Sequence, residues 1–196
     1  MILATANRHK LAEMHQLLPG VDLRSLPPGF EMPPEDGDSF EANALIKARA
    51  AHEASGEAVI ADDSGLAAED LGGAPGIYSA RYGGEGASDE ENLDKLLREV
   101  AAAGGNRRAA YVCAIALIEA DGAEHVFEAR CEGRLIEGKQ GEGGFGYDPS
   151  FVPDGTGPGD QRTFAEISPE EKNEISHRGL AARMLARHLG LLEGAR

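Results

Sequence analysis

Ala58-Val-Ile-Ala-Asp-Asp-Ser-Gly65 joins a compact apolar run to two adjacent carboxylates and a Ser-Gly pair. Four apolar residues bounded by polar turn-formers read as a buried strand, Ala58 to Ala61, that delivers Asp62 and Asp63 to its carboxyl end. Working back, Phe40, Ala44, Leu45, Ala48 and Ala51 recur at helical spacing from Ser39 until Gly56, so a helix feeds that strand. The same order stands at the start of the chain. Ile2 to Ala4 reads as a strand, and Leu11, Met14, Leu17 and Leu18 describe a helix stopped by Pro19-Gly20. Val21 to Leu26 alternates like a strand, and PPGFEMPPEDGD, 27–38, holds too many prolines and glycines for regular structure.

Working forward, residues 65–87 are glycine-rich and expected to be irregular. Ser88 and Glu91 form a capping box for a helix carrying Leu93, Leu96, Leu97 and Val100, closed by Gly104-Gly105. Ala109 to Glu119 and Glu124 to Glu132 flank Asp121-Gly122 as a long hairpin, and Leu135-Ile136 suggests a further strand. Ser168 and Glu171 repeat the capping box with Pro169 at the first helical position, and Leu180 to Leu192 reads as the closing helix. Strand–helix units mixed with a hairpin predict an α/β fold with a mixed sheet. No composition break marks a linker, so residues 1–196 are expected to be one domain.

Thirty-four Asp and Glu oppose 19 Lys and Arg, a net charge of −15. This acidity speaks against sustained contact with a nucleic-acid backbone, and any polyanion must be met by local basic residues. No apolar run approaches the roughly 20 residues of a membrane span, and the polar start MILATANRHK is unlike a signal peptide, so a cytoplasmic location is expected. Cys113 and Cys131 lack metal-site spacing and read as core thiols.

Four clusters carry chemistry. Thr5-Ala6-Asn7-Arg8-His9-Lys10 lies where a strand gives way to a helix, a place suited to anions, with Lys10 as a mobile charge. Asp62 and Asp63 suit Mg²⁺, and Glu35, Asp36 and Asp38 could complete its shell. Phe145, between glycines in Gly143-Gly-Phe-Gly-Tyr-Asp-Pro149, leaves a ring open to a flat ligand. Lys172, His177 and Arg178 add cations around the last helix. Each cluster also has a plainer reading: a capping turn, Asp-Ser-Gly turn chemistry, a core aromatic and solvated surface charges. Together they describe a nucleotide site.

In this order the clusters resemble the inosine triphosphate pyrophosphatase family, also called Ham1-like. The motifs are TANRHK at 5–10, SFEANALIKA at 39–48, IADDSGL at 60–66, LGGAPGIYSARYGG at 71–84, GGFGYDPSF at 143–151 and EISPEEKNEISHRG at 166–179. The resemblance implies an elongated two-lobed α/β fold around a long mixed sheet, with the active site in the cleft, and a homodimer. It implies Mg²⁺-dependent hydrolysis of ITP, dITP and XTP to the monophosphate and pyrophosphate, which would cleanse the nucleotide pool. By the same resemblance Thr5, Ala6, Asn7, Arg8, His9 and Lys10 bind the triphosphate, Asp63 is the catalytic metal-binding acid–base residue, and Ser64 contacts substrate. Glu35 helps hold Mg²⁺; Phe145, Gly146, Tyr147 and Asp148 bind the base; Lys172 is a further substrate contact; His177 and Arg178 read the purine 6-keto oxygen. The segment Phe40-Glu-Ala-Asn-Ala44 departs from the family's Phe-x-Glu-Asn-Ala by moving the carboxylate one position, to Glu41.

The expected chemistry is a Mg²⁺ site at Asp63 and Glu35, with Asp63, or Asp62 beside it, deprotonating water, and Lys10 and Lys172 offsetting charge on the leaving group. A 6-keto oxygen accepts from His177 or Arg178, where the adenine amino group would oppose donor with donor. A Maf-type pyrophosphatase and a non-catalytic nucleotide sensor are the rival readings. The first is disfavoured by GGFGYDP with His177-Arg178, the second by the intact Asp62-Asp63 pair.

Overall fold

The structure, a computed structural model, describes residues 1–192. Six strands form a mixed sheet in the order β2-β1-β3-β4-β5-β6, where β1 is Ile2–Leu3, β2 Arg24–Ser25, β3 Val59–Ala68, β4 Arg108–Ile118, β5 Glu124–Leu135 and β6 Phe151–Pro153. Strand β1 runs parallel to β2 and to β3, with Leu3 opposite Ser25 and Ile60, while β5 and β6 are antiparallel. The helices are α1 (Arg8–Leu17), α2 (Phe40–Ser55), α3 (Asp89–Ala103), α4 (Pro169–Ile175) and α5 (His177–His188).

The helices begin where side chains satisfy their first N–H groups. Asn7, Ser39, Ser88 and Ser168 are the caps of α1 to α4, and both capping boxes, Ser88 with Glu91 and Ser168 with Glu171, are formed. Gly56 ends α2 in the left-handed conformation with φ of 67°, which glycine adopts without a Cβ penalty.

The chain divides into two compact units, one of residues 1–63, 113–129 and 178 onward, the other of 64–112 and 130–177. In the first, strand alternation sorts side chains onto two buried faces, as expected of a sheet covered on both sides. Leu3, Ile60, Cys113, Ile115 and Leu117 pack with Met14 and Leu18 of α1 and Ala181, Ala182 and Leu185 of α5. The alternate residues Ile2, Val59, Ala61, Ala114, Ala116 and Ile118 pack with Ala44, Ala48 and Ala51 of α2. The second unit has its own core, in which Leu93, Leu96 and Val100 of α3 meet Leu66, Tyr111, Leu135, Phe151 and Phe164. Each such buried side chain contributes about 1.5–3 kcal/mol. Cys113 and Cys131 are free, buried thiols, as expected, and burial pushes each up to about 12.

Four elements differ from the sequence reading. Strand β3 does not end at Ala61; it passes through Asp62-Asp63-Ser64-Gly65 to Ala68, because Gly65 admits Gly76 O and Ser79 Oγ to 2.4 Å from where a Cβ would stand, and Ser79 Oγ accepts from Leu66 N at 2.9 Å. Residues 65–87 therefore hold the end of β3 and two 3₁₀ turns, Glu69–Leu71 and Gly76–Arg81. Leu135 is the last residue of β5, and the further strand is Phe151–Pro153, brought against Gly133, where a Cβ would lie 2.4 Å from Val152 O. Strand β2 shrinks to Arg24–Ser25, both exposed, and α5 starts at His177, directly after the extended Ser176, and ends at His188.

Candidate active site

Extending β3 through the acidic pair separates its carboxylates, because successive strand residues point to opposite faces. Asp62 shares its face with Ile60, toward α1 and α5; Asp63 shares its face with Ala61, toward α2. The adjacent pair is therefore not one bidentate cation site, contrary to what the spacing suggested.

On the first face Lys10 Nζ lies 3.0 Å from Asp62 Oδ2, and Arg178 donates through Nε and Nη2 to the same oxygen at 3.3 Å each. Arg178 is 2% exposed and also donates through Nη1 to Glu13. Burial opposes ionisation of Asp62, but the positive charges of Lys10, Arg178 and Lys47 outweigh it and hold the carboxyl well below the usual range. Burial likewise opposes charge on Arg178, and Asp62 and Glu13 help hold it protonated. Asp62 Oδ1 is buried with no hydrogen-bond partner among the described residues.

On the second face Asp63 Oδ2 accepts from Asn43 Nδ2 at 3.1 Å, and Lys47 Nζ stands 3.6 Å from Asp63 Oδ1 and 2.5 Å from Glu35 Oε1. Asn43 Oδ1 accepts from Gly37 N at 2.9 Å, so one side chain ties the acidic loop to the strand. A Cβ on Gly37 would come within 2.8 Å of that oxygen, which explains glycine there. Burial pushes the Asp63 carboxyl above its ordinary value, only partly countered by Lys47 and Lys10, and Glu35 adds to the rise. Lys47 is held charged, since Asp63, Asp62 and Glu35 outweigh its desolvation. Two neighbouring carboxyls are thus pushed in opposite directions, one a fixed anion and the other a proton acceptor. Of the loop carboxylates only Glu35 reaches this cluster through Lys47; Asp36, Asp38 and Glu41 are exposed.

The Thr5–Lys10 turn is a capping turn in detail. Asn7 Oδ1 accepts from His9 N and Lys10 N, and Thr5 Oγ1 accepts from Asn7 N. Asn7 works as an acceptor there, and Lys10 is not a mobile charge but a partner of Asp62. Ala6, Arg8 and His9 are exposed at its rim.

The second unit gathers the other predicted residues around Asp148, which is 2% exposed. Its carboxylate accepts from Tyr111 OH at 3.0 Å, Phe145 N at 2.9 Å and Lys172 Nζ at 2.8 Å. Lys172 also stands 5.1 Å from the centre of the half-buried Phe145 ring. Tyr147 is buried and donates to Ser79 O at 2.7 Å, so it is a core aromatic in a tight turn whose Gly146 has a φ of 62°. Buried His177 stacks on Tyr111, centroids 4.6 Å apart at 9°. Ser64, next after Asp63, is half-buried on β3.

Within the first unit, then, lie Thr5 to Lys10, Glu35, Asp63 and Arg178, and within the second Ser64, Phe145 to Asp148, Lys172 and His177. Sequence reasoning missed Asn43, Lys47, Glu13 and Tyr111. Asn43 and Lys47 had a legible signal, a polar pair four residues apart interrupting the alanine face of α2; Glu13 and Tyr111 had none.

A profile of the Ham1 family matches residues 1–188. A dITP/XTP pyrophosphatase of Thermosynechococcus vestitus is 47% identical, over 97% of this chain and 95% of its own. One from Corynebacterium diphtheriae is 44% identical over 94% of each. Among solved structures, a HAM1 protein of Coxiella burnetii superposes with a TM-score of 0.86 at 40% identity, covering 97% of this chain and 98% of its own. Likeness of this extent in sequence and fold, running through every cluster described above, makes the chain a member of the Ham1 family.

Proposed function

We propose that this chain hydrolyses non-standard purine nucleoside triphosphates, ITP, dITP and XTP, between the α and β phosphates, releasing the monophosphate and pyrophosphate. The observation that carries the reading is the divergence of Asp62 and Asp63 on β3. Asp63, its carboxyl raised by burial and held in place by Asn43 and Lys47, is suited to take a proton from the attacking water. Asp62, a fixed anion, holds Lys10 and Arg178 in place.

Glu35 and Asp63 fit Mg²⁺: both offer hard carboxylate oxygen, and both already face one cation, the Lys47 ammonium. When bound, Mg²⁺ would supply positive charge for phosphate oxygens. The N-terminal turn supports triphosphate binding through Lys10 and the start of α1. Phe145 offers a half-buried ring to the base, beside the Lys172 ammonium that Asp148 anchors. We assign the 6-keto oxygen to donors of the His177–Arg178 pair, a choice that disfavours adenine because its amino group would leave a buried donor unpaired. Removing such nucleotides before polymerases use them is the corresponding cellular role, in the cytoplasm.

The test is pyrophosphate release from ITP, XTP, GTP, ATP and dTTP, each with Mg²⁺ and with EDTA. Release that is strong with ITP and XTP, weak with the rest and abolished by EDTA is expected. Equal turnover of all five would remove the base assignment, and none with any would leave a nucleotide-binding protein.

A further inference from the structure

A second cluster stands on the β4–β5 hairpin and the last turn of α5, and none of its residues belongs to the site around Asp63. Glu119 follows the last residue of β4, where its N–H donates to Ala123 O across the hairpin turn at 2.9 Å. His125 is the second residue of β5 and His188 the last of α5. The hairpin and the helix bring their ligand atoms within 4.8 Å of one another. His125 Nε2 stands 3.3 Å and His188 Nε2 3.0 Å from the single oxygen Glu119 Oε1. The imidazole centroids are 4.3 Å apart with the ring planes tilted by 48°, and the Phe127 ring lies 5.4 Å from that of His188.

These distances have a chemical meaning. A tetrahedral zinc ion with ligand bonds of about 2.0–2.1 Å sets its ligand atoms about 3.3 Å apart, the edge of the tetrahedron. Two of the three edges, at 3.3 and 3.0 Å, are already close to that length, and the third is no longer than 4.8 Å. Two imidazoles and one carboxylate are the donor set of borderline transition metals, whereas Mg²⁺ prefers all-oxygen shells. All three side chains are partly solvent-exposed, with 31–42% of their surface accessible, so a metal can enter and a water or an external donor can fill a fourth position. Their backbones belong to a hairpin and a helix, which pre-organises the ligands.

We propose that Glu119, His125 and His188 form a binding site for a divalent transition metal, with Zn²⁺ as the best-fitting ion, separate from the Asp63 site. The bound ion joins the tip of the β4–β5 hairpin to the last turn of α5. That helix carries Arg178 ten residues earlier, about 15 Å along its axis, so the metal braces the element that holds Asp62. Each imidazole would bind the ion through a ring nitrogen that carries no hydrogen, with its N–H on the other nitrogen.

Calorimetric titration of the full chain with ZnCl₂ in saturating Mg²⁺, and visible absorption of the Co²⁺-loaded protein, test this. The expected result is one Zn²⁺ per chain, an intense tetrahedral-type Co²⁺ spectrum, and a melting temperature raised by stoichiometric Zn²⁺. Loss of a direct ligand should weaken binding by more than the about 10-fold that even an outer-shell change costs, in each of His125→Ala, His188→Ala and Glu119→Gln. These variants should melt like wild type without Zn²⁺, and Asp63→Asn should keep the Zn²⁺ affinity. Equal Zn²⁺ binding by wild type and the double variant His125→Ala with His188→Ala would overturn the site, as would no binding by wild type or its loss in Asp63→Asn alone.

Discussion

Asp63 is raised because burial disfavours its charge more than Lys47 and Lys10 restore it. A carboxyl in that state is both a better base and a source of instability at neutral pH, since the folded chain holds its proton more tightly than the unfolded chain does. Asp63→Asn is therefore expected to lower turnover by at least about 10²-fold while melting no lower than wild type, as followed by pyrophosphate release and thermal denaturation. Retained turnover would remove Asp63 from the proton-transfer role. The pH profile gives an independent check. The reactive form is the carboxylate, so kcat/KM should fall on the acid side at a pH above the roughly 3.9 of an ordinary aspartate. Lys47 favours the carboxylate, so in Lys47→Met that limb should move to still higher pH; an unmoved limb would dissociate Lys47 from the titrating group.

At the level of elements, β3 decides the chemistry. Had the strand stopped at Ala61, both carboxylates would have sat in one turn; its passage through Gly65 sends them to opposite faces. Gly65→Ala puts a methyl group at 2.4 Å from Gly76 O and Ser79 Oγ, one of them backbone. A loss of about 1–3 kcal/mol in denaturant unfolding is expected, whereas Gly138→Ala, with nothing within 4 Å of the new methyl, should be near neutral. Helix α2 shows how a face can be read and still be misjudged. Its alanines pack as their spacing indicates, but Asn43 and Lys47 are buried among them while Phe40 and Leu45 are only half-buried. Hydrophobicity orders a helix face by apolar area, whereas a buried Lys is stabilised by partners from other elements, here Glu35 and Asp63.

For the molecule as a whole, against an excess of 15 negative charges stand four buried or half-buried cations at the candidate site residues, Lys10, Lys47 and Arg178 in one unit and Lys172 in the other, each held by a carboxylate. Other cations, among them Arg24, Arg49, Arg130 and Arg162, sit in surface ion pairs, and the net acidity is in keeping with a free small anion, met by local cations, as ligand. The homodimer proposed by resemblance has a candidate contact in the stretch Leu71 to Tyr78, where Tyr78 is 56% exposed. Sedimentation should show twice the chain mass, and Tyr78→Asp should shift it toward the monomer; a concentration-independent wild-type monomer would contradict the assembly.

The sequence by itself determined every helix start that rests on a side-chain cap, the α/β class, the hairpin and the clusters whose residues are contiguous. Those features depend on interactions within a few positions, so spacing and residue type suffice. The extent of β3, the burial of Asn43 and Lys47, the capture of Arg178 by Asp62 and Glu13, and the meeting of Glu119, His125 and His188 were decided only by the tertiary structure. They depend on partners from 12 to 165 residues away in the chain; the spacing of Asn43 and Lys47 marks them as unusual, but no local pattern encodes which partners meet them.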